Sequence, residues 1–99
     1  MEIININERA VFNEQFAPQV LVANAQCKIP LICMNPGQEI PAHPSATGVF
    51  YIVKGSAVMT INGQEHTVKA GNMIFIEKGL TRGIRALETL TMFAVHING

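Results

Sequence analysis

The sequence predicts a single all-β domain, a barrel or sandwich of many short strands. Three observations lead there. Helical periodicity is almost absent from the chain. Turn residues recur at Pro36-Gly37, Pro41, Pro44, Gly55, Asn62-Gly63, Gly71, Gly79 and Gly83. Between them lie β-branched and aromatic runs of roughly four to eight residues, the length and composition of strands. Evenly spaced short strands of this kind close into a barrel or pack as a sandwich.

The 99 residues suffice for one apolar core and not for two. Hydrophobic residues make up 48% against 14% charged, a balance that folds rather than staying disordered. Seven basic side chains offset seven acidic ones, so the chain lacks the positive field of a nucleic-acid or anionic-membrane binder. Small molecules or other proteins are the expected partners. No apolar stretch approaches the ~20 residues of a membrane span, and no basic-then-apolar leader opens the chain. The expected location is the cytoplasm. Cys27 and Cys33, six apart, match neither a disulfide framework nor a C-x-x-C motif and read as free thiols.

Residues 8 to 16, ERAVFNEQF, have room for one short helical turn before Pro18 closes it. Residues 1–18 therefore form an N-terminal segment, and residues 19–99 the barrel. In SAVMTINGQEHTVKAG, Asn62-Gly63 predicts a two-residue hairpin, because both central positions of a type I′ turn need φ > 0. That turn sets Ile61 opposite Gln64, Met59 opposite His66 and Ala57 opposite Val68. Directly opposed residues share a face, so His66 is expected to point inward with Met59 and Val68.

Val49 to Val53 and Met73 to Ile76 are apolar on both alternating faces, so both faces need cover. Either the N-terminal segment or a second subunit supplies it, and a homodimer is the economical expectation. In the last strand, TLTMFAVHI, Met92, Ala94 and His96 share one face, and Phe93, Val95 and Ile97 the other.

Gly37, His43, Gly55, Gly71 and Gly79 carry a resemblance to the cupin family, small β-barrels of the jelly-roll type. The family's first motif runs glycine, five residues, His-x-His, a glutamate shortly after and a closing glycine; Gly37, His43 and Gly55 match it. Its second motif opens on glycine and carries another at the spacing of Gly71 and Gly79. The likeness covers about residues 20 to 97 and implies the barrel. It also implies an iron, manganese or nickel centre, and there the sequence departs from the pattern. Ser45 stands at the second histidine position, Gly48 at the glutamate, Glu77 where proline is common, and Arg82 at the last histidine.

One imidazole does not hold a divalent metal. A rebuilt metal centre would need His43, His66 and His96 to converge, and would make the protein a metal-dependent enzyme of oxygenase or isomerase type. Arg82 argues for the opposite chemistry, since a guanidinium repels a cation and forks onto a carboxylate or phosphate. The favoured expectation is a metal-free pocket for a small polar or anionic ligand, bound by Arg82, His43 and His66 and lined by Met34, Phe50, Ile52 and Met59. The alternatives are the metal enzyme and an empty barrel serving only dimerisation. Metal-free catalysis has only His43 and Arg82 to draw on, with no second acid-base partner in view.

Overall fold

A computed structural model describes residues 1–99. Two antiparallel sheets face each other. Nine strands build them: β1 (Gln19–Ala23), β2 (Cys27–Met34), β3 (Glu39–Pro44), β4 (Thr47–Lys54), β5 (Ser56–Ile61), β6 (Gln64–Lys69), β7 (Met73–Ile76), β8 (Thr81–Ala86) and β9 (Leu90–Ile97). One sheet has the order β1-β2-β9-β4-β7 and the other β3-β8-β5-β6. The one helix, α1 (Ile6–Arg9), is capped by Asn5, whose side chain accepts from the Glu8 amide at 3.1 Å. It ends at Ala10, which is already extended, so the helical turn lies earlier than the ERAVFNEQF stretch placed it.

Alternation along the strands explains the core. In β4, Gly48, Phe50 and Ile52 are buried while Val49, Tyr51 and Val53 are half-buried. In β9, Leu90, Met92 and Ala94 are buried on the inward face. These residues join Ile32, Met34, Ala57, Met59, Val68, Ile76, Ile84 and Ala86 in one apolar core between the sheets. Period-two burial of this kind is what a sheet with one inward face requires.

The hairpin register is as the turn dictates. Asn62 and Gly63 have φ of 49° and 83°, and Ile61 pairs with Gln64, Met59 with His66 and Ala57 with Val68. Met59 and Val68 are buried, but His66 is exposed. The expectation that His66 points into the interior is corrected here. β6 is the edge strand of its sheet, and only Val68, toward the base of the hairpin, lies under the opposing sheet.

The second face of the larger sheet is covered in part. Leu21, Leu31 and Cys33 form a small outer cluster against which Ile4, Ile6 and Ala10 of the N-terminal segment pack. No residue of β4 or β7 belongs to this cluster. There Met73 and Phe75 stay 64% and 54% exposed, paired with Tyr51 and Val49.

Residues 13 to 18 turn instead toward the barrel mouth. The Gln38 side-chain amide donates to the carbonyls of Asn13 and Glu14 at 2.7 and 2.8 Å, and Asn35 Nδ2 donates to Asn13 at 3.2 Å. Phe16 packs against the main core.

Candidate functional site

Between the sheets, lined chiefly by residues of β2, β3, β8 and β9, lies a cavity of about 600 Å³. Its walls are mostly apolar, with Phe16, Ile32, Phe50, Met59, Ile84 and Met92 among them. Its polar groups are few: Arg82, His43, His96, Lys28, Glu39, Ser45 and Asn98. A largely apolar chamber with a handful of polar side chains is the usual form of a small-molecule site.

Arg82 sits in β8 between His43 of β3 and Ile61 of β5, its neighbours in register. Its residue surface is 4% exposed. The guanidinium donates to three main-chain carbonyls: Nε to Leu80 at 3.0 Å, Nη1 to Ala46 at 2.6 Å and Nη2 to Glu77 at 2.9 Å. None of these partners is a carboxylate. Three bonds engage three of a guanidinium's five N–H donors and leave two. Burial lowers the Arg82 pKa from its ordinary value. A guanidinium stays charged nonetheless, so the cavity wall carries a buried cation.

The same three bonds give Arg82 a structural task. They tie the β3–β4 turn to the β7–β8 turn, alongside Gly79 N to Ser45 O at 3.0 Å and Lys78 N to Thr47 Oγ1 at 3.2 Å. The next residue, Gly83, lets β3 come close: a Cβ there would stand 2.8 Å from the Ala42 nitrogen and 2.9 Å from the Ile40 oxygen. This close approach falls where the β3–β8 register shifts, between Ile40 and His43.

His43 is exposed at the mouth, its Nδ1 2.9 Å from the Pro41 carbonyl. A carbonyl oxygen can only accept, so that contact places a proton on Nδ1. His96 lies opposite, half-buried, with its ring edge-on to Phe50 at 5.7 Å. Its Nδ1 is buried without a hydrogen-bond partner. Burial, followed by the charges of Arg82, Lys28 and His43, holds the His96 pKa below 6.5.

The cavity thus brings together Arg82, His43, Phe50 and Met59 from the expected site. It does not include His66, which is exposed on β6, nor Met34 and Ile52, which are fully buried in the filled part of the core where the sheets close. His96, Lys28 and Phe16 are among the further residues of the lining. His96 and Lys28 face each other in the β2–β9 ladder, a pairing that the alternation of the last strand hints at only once its neighbour is known. Nothing in the sequence marks Phe16.

The donors do not fit a divalent metal. No three His, Cys, Asp or Glu side chains are grouped to hold one. With His66 outside, only two imidazoles remain, beside a guanidinium. Gly48, at the glutamate position of the motif, is tightly enclosed: a Cβ would meet Phe50 Cε2 at 3.0 Å and His96 Nδ1 at 3.3 Å, so both rings would have to give way.

Two facing antiparallel sheets, glycine-punctuated turns and a cavity at the open end define a small β-barrel of the double-stranded β-helix type. The cupin domain profile matches residues 30–97, and the chain belongs to the cupin family. Solved structures agree on the fold. A conserved protein of unknown function from Streptococcus pyogenes is similar at 23% identity, over 99% of this chain and 88% of that one, with a TM-score of 0.88. An RmlC-like cupin from Desulfovibrio desulfuricans is similar at 18% identity, over 98% and 96%, with a TM-score of 0.90. An RmlC-like cupin with a double-stranded β-helix fold from Methanocaldococcus jannaschii is similar at 22% identity, over 98% and 90%, with a TM-score of 0.82. No curated protein matches the sequence.

Proposed function

We propose that this cupin is a binding protein whose barrel cavity takes a small anionic ligand at Arg82, with His43 at the entrance and without a metal. One observation carries the reading: Arg82 is a buried cation on the cavity wall whose hydrogen bonds all go to neutral carbonyls. A buried charge without a counter-ion is costly, and an incoming anion relieves that cost. An empty structural barrel is disfavoured by the cavity itself, since a barrel serving only dimerisation would be filled by side chains.

The test titrates the wild-type protein with a panel of small carboxylates and phosphate beside uncharged isosteres, followed by calorimetry. Anions are expected to bind and the isosteres not. Equal affinity for both overturns the reading.

The exposed pair Met73 and Phe75, with Val49 and Tyr51 beside them, supports a homodimer through the uncovered outer face. The two unpaired thiols accord with the reducing cytoplasm. No helix is long and apolar enough to cross a membrane.

A further inference from the structure

His96 is the polar group whose state the surrounding structure fixes most narrowly. Its Nδ1 is buried, faces the bare backbone of Gly48 and has no acceptor within reach. A proton on Nδ1 would be a buried N–H left unpaired, whereas a ring lone pair left unpaired is tolerated more readily. The neutral ring therefore carries its proton on Nε2, the nitrogen left to the cavity. The groups around the ring keep it neutral. Arg82 of β8, Lys28 of β2 and His43 of β3 oppose a further positive charge, β4 offers only Gly48 and Phe50, and Glu39 is the one carboxylate on the cavity wall.

Of the charged groups on the cavity wall only Arg82 is buried, while Lys28 and Glu39, of opposite sign, are exposed. A single buried positive charge matches a single negative one. Phosphate, larger in charge and needing donors around three oxygens, meets too few of them here. The ring faces of Phe16 and Phe50 and the thioethers of Met59 and Met92 suit an apolar body.

We infer that the cavity receives a monocarboxylate with a compact apolar body, its oxygens accepting from the Arg82 guanidinium and from the Nε2–H of a neutral His96. This rests on the anion-binding reading above and adds the ligand's class and a second recognition residue.

The experiment uses benzoate, with benzamide and inorganic phosphate as comparisons. Calorimetry is run at neutral pH on wild type, His96→Phe and His96→Gln, each checked for an unchanged melting profile. Nitrogen-detected NMR of the wild-type histidine rings reads the tautomer directly and depends on no variant. Expected are benzoate binding that neither benzamide nor phosphate equals, a weakening of about tenfold in His96→Phe, partial recovery in His96→Gln, and a protonated Nε2 with bare Nδ1. Unchanged benzoate affinity in His96→Phe, a proton on Nδ1, or phosphate bound more tightly than benzoate overturns this inference and leaves an anion site standing. Failure of every anion to bind wild type removes the anion reading itself, and this inference with it.

Discussion

Arg82 Nη1 lies 2.6 Å from the carbonyl oxygen of Ala46, so a side chain on the cavity wall also fastens the turn that follows β3. The proposed anion site and the fold share one guanidinium. Arg82→Ala is expected to lose about 2–4 kcal/mol of stability, because three main-chain carbonyls lose a charged donor together. Arg82→Lys, which keeps the charge without the planar fork, is expected to lose less. Urea unfolding of both variants checks this; an Arg82→Ala protein as stable as wild type contradicts the fastening role.

Gly48 is the site of a tighter constraint. An added Cβ would stand 3.0 Å from the buried Phe50 ring and 3.3 Å from His96 Nδ1. Gly48→Ala is expected to cost about 1 kcal/mol through overpacking. The methyl group should also displace the Phe50 and His96 ring resonances. Thermal melts and proton spectra report the two effects separately.

Stability should fall on both sides of neutrality. The His96 pKa is held below 6.5 in the fold, so the unfolded chain takes up a proton first as pH drops. Stability present above pH 6.5 is therefore lost between that value and the depressed folded one. Cys33 behaves in the opposite sense. Burial raises its pKa above 9.0, so stability present below pH 9.0 is lost as the pH rises through the higher folded value. His96→Phe should flatten the acid limb and Cys33→Ala the alkaline one, in unfolding midpoints followed against pH.

Phe75→Glu places a charge in the middle of the uncovered face, opposite Val49. Wild type is expected to sediment as a dimer and the variant as a monomer with the same circular dichroism. A wild-type monomer at micromolar concentration would leave that face unexplained by self-association.

The fold was legible because its signals are local. Asn62-Gly63 dictates a turn whose two positive φ angles set every pairing from Ile61–Gln64 to Ala57–Val68. The alternation of β9 likewise groups Met92, Ala94 and His96 on one face, and the structure shows Met92 and Ala94 of that face buried. The cavity was legible only in part. Face is a property of one strand, but depth depends on how far the opposing sheet extends, and this is why His66 shares the face of Met59 and still lies in solvent. Met34 and Ile52 show the same limit from the other direction, since both point inward and sit where the barrel is already full. Arg82 could be read as a cation at a ligand position, but its three carbonyl partners come from turns that only the closed barrel brings together.

The arm that carries Phe16 to the cavity is held at main-chain carbonyls, those of Asn13 and Glu14 by Gln38 and Asn35 and that of Arg9 by Gln19, and by the packing of Phe16 on the core. Its polar anchors are main-chain carbonyls, so the side chains of Asn13 and Glu14 take no part in these hydrogen bonds, and none of its residues between Arg9 and Gln19 belongs to a ladder of either sheet. The chamber is thereby given an adjustable wall. A change at Phe16 therefore reshapes the chamber while every strand and turn of the two sheets stays as it is.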